Sequence, residues 1–171
     1  MKRGAMTQDD QASQRVLDFL AEKGVGCRIE HHPAVYTIEE MEALNLNRAE
    51  EVAKNLFLRD DKKLNYYLLV MRKDKKADLK KFRSLLTARP LKFASEDDLE
   101  KHLGLTKGAV TPFGLLNDSG RAVKVVLDND LLKSECIAVH PNSNLATVWL
   151  AVGDLIAVIQ GLGHELIFVD L

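Results

Sequence analysis

The sequence predicts an α+β fold, a mixed β-sheet surrounded by helices, in a single domain spanning residues 1–171. Three observations lead there. Strand-like and helix-like segments are interspersed without a regular βαβ period. The 171 residues are 46% hydrophobic with only 4 Pro and 10 Gly, enough for a core that removes roughly 70% of the unfolded surface from water. No repeat, low-complexity tract or linker divides the chain.

Taken in order, Ala12, Val16, Phe19 and Leu20 fall at helical spacing and predict a helix from about Thr7 to Lys23, with Gly24 as its stop. Cys27, Ile29 and His31 alternate with polar neighbours as a short strand ended by Pro33. Thr37-Ile38-Glu39-Glu40 reads as a capping box, Glu40 reaching back to the Thr37 amide, for a short helix carrying Met41 and Leu44. Glu51–Arg59 and Leu64–Arg72 follow as strands joined by the polar turn at Asp60–Lys63. Ala77–Leu86 is an amphipathic helix with Leu79, Phe82 and Leu86 inward. A brief strand at Leu91–Ala94 precedes a helix capped by Ser95, carrying Leu99 and Leu103, and closed by Gly104. After a loop at Thr106–Gly114 come strands at Ala122–Leu127, Glu135–Val139 and Ala146–Leu150. A helix at Asp154–Gln160 and a strand at Leu166–Val169 finish the chain.

Composition excludes several classes. The longest apolar run, Tyr66–Met71, falls far short of the roughly 20 residues a bilayer span needs. No apolar core follows Lys2 and Arg3, so no signal peptide is read there. Cys27 and Cys136 form no CxxC pair and read as buried thiols, so a cytoplasmic, reducing location is expected. A net charge of −1 argues against nonspecific coating of nucleic acid. The basic stretch from Arg72 to Arg83 is either a solvated face or a landing strip for phosphates.

HExxH, GxSxG, Walker and GxGxxG signatures are absent, and the His and Cys residues lack ligand spacing, so neither metal nor cofactor is expected. Three features remain. Alternation places Lys54 in an aliphatic stripe with Val52, Leu56 and Leu58, which is costly unless its ammonium snorkels to water or meets an anion. The Gly108-Ala109-Val110-Thr111-Pro112 loop can bring backbone amides close to an oxyanion. His140 opens the polar run His140–Thr147 at the end of a strand.

These segments, with His32-Pro33-Ala34-Val35-Tyr36-Thr37-Ile38-Glu39-Glu40 and Ala53–Leu58, occur in an order that resembles the YbaK/prolyl-tRNA-synthetase-associated editing domain family. Within it the chain is most similar to the free-standing alanyl-tRNA(Pro) deacylases. Each motif is weak alone, and the set in register from about Thr7 to Leu171 is specific. The resemblance implies hydrolysis of the ester joining a wrong amino acid to tRNA(Pro), most readily alanine, by an attacking water. Missing methylenes cost a synthetase pocket only about 1–3 kcal/mol of discrimination, so a second hydrolytic site is the usual remedy. It further implies Lys54, Gly108 and His140 as catalytic positions. Tyr36, Thr37, Asn55, Ala109, Val110, Thr111, Pro112, Asn144 and Thr147 become substrate-binding positions. Mischarged tRNA(Pro) is the implied partner, and prolyl-tRNA synthetase a second one. A Cys-tRNA(Pro) deacylase and a non-catalytic tRNA- or synthetase-binding module are the alternatives. One departure stands out: family members carry Ser or Thr where the chain turns into the last helix, and here the segment is Leu150-Ala151-Val152-Gly153-Asp154, with the cap expected to shift to Asp154.

Overall fold

The computed structural model describes residues 6–171; Lys2 and Arg3 lie outside the described residues. Helix α1 (Gln8–Glu22) begins at a capping box in which the Thr7 hydroxyl accepts from the Asp10 amide and Asp10 accepts from the Thr7 amide. Strand β1 (Cys27–His31) and helix α2 (Ile38–Ala43) follow. Strands β2 (Ala53–Asp60) and β3 (Tyr66–Arg72) form an antiparallel hairpin. Helix α3 (Leu79–Leu85), strand β4 (Leu91–Phe93) and helix α4 (Glu96–Leu103) lead to strand β5 (Val123–Asp128). Strands β6 (Cys136–Val139) and β7 (Ala146–Ala151), helix α5 (Val152–Gly161) and strand β8 (Leu166–Val169) complete the order.

The strands divide into two sheets. The larger is mixed, in the order β4-β2-β3-β5-β8, with β5 parallel to both β3 and β8. The smaller is antiparallel, β1-β7-β6, and a single bridge from Val52 to Ala138 joins its β6 side to the start of β2. The expected mixed sheet is present, and the second sheet is an addition to it.

The apolar run of β3 is explained by burial on both faces, as in other sandwiched strands. Tyr66, Leu68 and Val70 enter the main core with α1, α4, α5 and the small sheet. Tyr67, Leu69 and Met71 enter a second core against Phe82 of α3. Each fully buried aliphatic side chain contributes about 1.5–3 kcal/mol relative to exposure. A third, smaller cluster of Val35, Met41, Val52, Ala138 and Trp149 sits where α2 meets both sheets. No helix among the described residues is long and apolar enough to cross a membrane.

Four local expectations are corrected. Glu40 accepts from the Tyr36 amide at 2.6 Å rather than from Thr37, although the Thr37 hydroxyl does accept from the Glu40 amide at 3.1 Å. The last helix starts at Val152, not Asp154: Ala151 caps it without a side-chain bond, and the Val152 amide donates to the Glu135 carbonyl at 3.0 Å, which removes the need for a hydroxyl there. Cys27 is exposed and Cys136 half-buried, because Cys27 begins an edge strand of the small sheet. Lys75, read with the basic stretch, is a structural cation: its ammonium contacts Asp128 at 2.9 Å, Asp130 at 2.6 Å and the Leu171 carbonyl at 3.0 Å.

Asp98 ties α4 to the hairpin. Its carboxylate accepts from the Ser95 amide at 3.3 Å, from Lys63 at 3.2 Å and from the Tyr66 hydroxyl at 3.2 Å. Burial opposes ionisation, but the hydrogen bonds from Ser95, Lys63 and Tyr66 outweigh it and hold the pKa at about 2. The folded value lies below the unfolded one of about 3.9, so this stabilisation is complete above pH 4 and fades as pH falls toward 2. Asp98→Asn is therefore expected to lose about 1.5–3 kcal/mol at pH 7. Its thermal melts should converge with the wild type toward pH 2, and a gap constant from pH 7 to pH 2 would refute this role.

Candidate active site

A cleft of about 310 Å³ opens where the start of β2 passes between α2 and the loop following α4. Strand β2 contributes Lys54, Asn55 and Leu56, the α2 region contributes Tyr36, Thr37 and Met41, the loop contributes Gly108 and Val110, and His140 follows β6. Residues 86 apart in sequence, from Lys54 to His140, thus share one concavity. They do so because the Val52–Ala138 bridge registers the two sheets just beside it.

Lys54 is half-buried, and its ammonium donates to the Lys75 carbonyl at 2.5 Å. The lysine therefore does not snorkel freely past the sheet edge. It is held by a turn that Lys75 pins to the end of β5 through Asp128 and Asp130. Desolvation opposes the Lys75 charge, but its hydrogen bonds to Asp130 and Asp128 raise its pKa. Lys133 first, and then Lys75, draw Asp130 down to about 2. Elsewhere in the basic stretch, Arg72 pairs with Asp74 and Lys73 with Glu42.

Gly108 has φ +87°, and a Cβ there would sit 2.7 Å from Tyr36 Cδ1 and 3.3 Å from the Val35 carbonyl oxygen. The absence of a side chain is what lets the loop close against the Tyr36 segment. His140 has Nδ1 2.8 Å from the Ala146 carbonyl. A carbonyl only accepts, so Nδ1 carries the proton and Nε2 keeps a lone pair. Desolvation pushes the His140 pKa down, the Ala146 bond works against this, and His32 lowers it further; the ring is neutral at pH 7. The His32 and His140 rings lie 6.0 Å apart. His32 Nδ1 donates to the Pro33 carbonyl at 2.8 Å, and its Nε2 meets the Thr147 hydroxyl at 2.9 Å.

Of the residues expected to bind substrate, Tyr36, Thr37, Asn55 and Val110 line the cleft. Ala109, Thr111, Pro112, Asn144 and Thr147 stand behind it. Ala109 is buried and its amide is taken by the Thr106 carbonyl. The Thr111 hydroxyl donates to the His140 carbonyl at 2.6 Å, and Asn144 donates to the Val35 carbonyl at 3.1 Å. Pro112 is buried at the start of a 3-10 turn, and Thr147 is 1% exposed against His32. Sequence reasoning missed Val35, Ile38, Met41, Val52, Ala53 and Leu56 as lining residues; their nearness in sequence to Tyr36, Thr37, Lys54 and Asn55 was the available signal. Among the described residues, no three His, Cys, Asp or Glu side chains are grouped to hold a metal ion.

Residues 32–158 match the model of the aminoacyl-tRNA editing domain family. The chain is 45% identical over 163 residues to the prolyl-tRNA editing protein ProX of Acetoanaerobium sticklandii, covering 95% of this chain and 99% of that one. It is 35% identical over 143 residues to the prolyl-tRNA synthetase associated domain-containing protein 1 of Mus musculus, covering 81% and 84%. Among solved structures, a candidate trans-editing enzyme for prolyl-tRNA synthetase superposes with a TM-score of 0.71 at 23% identity, over 94% of this chain and 96% of that one. That likeness speaks for the fold.

Proposed function

The chain belongs to the aminoacyl-tRNA editing domain family, and from that membership we propose that it is a trans-acting deacylase of mischarged tRNA(Pro), with alanine as its preferred acyl group. The observation that carries the reading is the meeting of Lys54, Gly108 and His140 in one small cleft. A deacylase needs a water to attack the ester carbonyl, a donor for the oxyanion, and a grip on the 3′ end of the tRNA.

In this reading the water oxygen bonds to the carbonyl carbon, and the electron pair of the C=O moves to oxygen. The neutral His140 offers the Nε2 lone pair that orients the water. The Gly108 backbone, bare of any side chain, is the group that approaches the oxyanion. Collapse of the intermediate re-forms the C=O and breaks the bond to the ribose oxygen, which takes the proton given up by the attacking water, and releases the amino acid and the free 3′ end. Lys54, a compact cation, faces the terminal phosphate or ribose. Thr111, Asn144 and Thr147 act through others, holding the His140 carbonyl, the Val35 carbonyl and His32. A cytoplasmic site of action and an encounter with prolyl-tRNA synthetase belong to the same proposal.

Size decides the acyl group. The apolar side chains of Met41, Val52 and Leu56 limit the cleft, and a pyrrolidine ring demands room that a methyl does not. Ala-tRNA(Pro) should therefore lose its amino acid at least roughly tenfold faster than Pro-tRNA(Pro). The assay is loss of amino acid from tRNA(Pro) charged with Ala, Cys, Ser or Pro. Equal rates on Ala and Pro would overturn the size argument, a preference for Cys would reassign the substrate, and no turnover on any would leave a binding module.

A further inference from the structure

A second groove, of about 490 Å³, continues the cleft along its β2 side: Asn55, Leu56, Gly108 and Val110 line both. Its own residues are of a different kind. Phe93, on the edge strand β4, is 56% exposed. Lys107, exposed, immediately precedes Gly108, and Glu96 opens α4 on the same rim. A large aromatic left in water on a sheet edge, beside a cation and a carboxylate, does not serve the core.

Resting on the deacylase reading, we infer that this groove binds the unpaired nucleotides immediately preceding the terminal adenosine of the tRNA. A strand whose last ribose is held at Lys54 and Gly108 must leave the cleft over a continuous surface, and this groove is continuous with it. Bases stripped from a helical stack are held by stacking on aromatic faces, which Phe93 offers. Lys107 stands where a phosphate linking two nucleotides would pass. Glu96 repels a phosphate but accepts from an exocyclic amine, such as cytosine N4, so the bases face α4 and the backbone faces Lys107. Glu96, the groove-lining carboxylate of the first turn of α4, makes that orientation one-way.

Two substrates separate this inference from the reading beneath it: Ala-tRNA(Pro), and alanine esterified to adenosine alone, which has nothing to place in the groove. Phe93→Ala is expected to lower kcat/KM on Ala-tRNA(Pro) roughly ten- to a hundredfold, chiefly through KM. It should leave hydrolysis of alanyl-adenosine within about twofold, and Phe93→Trp should keep activity on both. Lys107→Glu, on an exposed loop, should reduce only the tRNA reaction and flatten its salt dependence by about one phosphate contact. It carries the test should Phe93→Ala fail to fold. Unchanged kcat/KM on the tRNA, or equal losses on both substrates, would overturn the groove while leaving the deacylase reading intact. A wild-type protein that hydrolyses neither substrate would remove both.

Discussion

Gly108→Ala is expected to abolish most deacylation while costing the fold about 1–3 kcal/mol. Two penalties act together. At φ +87° an L side chain is strained by its own backbone. The new Cβ would also lie 2.7 Å from the Tyr36 ring and 3.3 Å from both the Val35 carbonyl oxygen and Asn144 Nδ2. The Tyr36 ring is 61% exposed and can swing outward. The Val35 carbonyl cannot, because Asn144 already holds it by a hydrogen bond of 3.1 Å. The loop must therefore back away from the α2 segment, moving the backbone group proposed to meet the oxyanion. Removing one oxyanion donor elsewhere costs about a hundred- to a thousandfold in rate, and displacement should approach that. Single-turnover deacylation beside thermal melting measures both effects. Activity within twofold of wild type would take Gly108 out of the reacting centre.

What the sequence made legible was local. The Ser95 cap rests on a partner three residues away, and the left-handed Gly104 closes α4 as its position required. The doubly buried β3 declared itself by an unbroken apolar run. Non-local partners were not legible. The family resemblance implies Thr111, Asn144 and Thr147 as substrate contacts, and the structure gives their side chains partners 29, 109 and 115 residues away. Nothing in a short motif says whether a hydroxyl faces a ligand or a carbonyl behind the site. Glu40 shows the same limit at short range: the Thr37 spacing fits a box, yet its carboxylate serves the next amide upstream, at Tyr36.

The basic stretch illustrates how charge misleads when partners are distant. Lys75 meets Asp128 53 residues away and the Leu171 carbonyl 96 residues away, so a residue that resembles solvated charge is a strut under the site. Lys76, Lys80, Lys81 and Arg83 remain exposed and have no ion-pair partner among the described residues. They are the part of the stretch still free to meet a phosphate backbone.

Lys54→Met should leave the fold nearly unchanged and reduce deacylation roughly ten- to a hundredfold, because a contact to a charged group is worth about 1.5–3 kcal/mol. The structure supplies the stability half of that expectation. Methionine matches the lysine stem in apolar length, and it removes a charge from a stripe shared with Val52, Leu56 and Leu58. Against this stands the loss of the bond to the Lys75 carbonyl, worth about 1 kcal/mol. The melting temperature should therefore stay within about 2–4 °C of wild type. That carbonyl belongs to a turn anchored independently by Asp128 and Asp130, so the turn does not collapse with the bond. Lys54→Arg discriminates further. The guanidinium keeps the charge but spreads its donors over a rigid plane, and a half-buried position built around one ammonium and one carbonyl accommodates that poorly. Partial recovery of rate, without recovery of full activity, is the expected result. Full activity in Lys54→Met would show that the ammonium serves the Lys75 turn and nothing else. A large fall in melting temperature with a proportionate loss of rate would show the same.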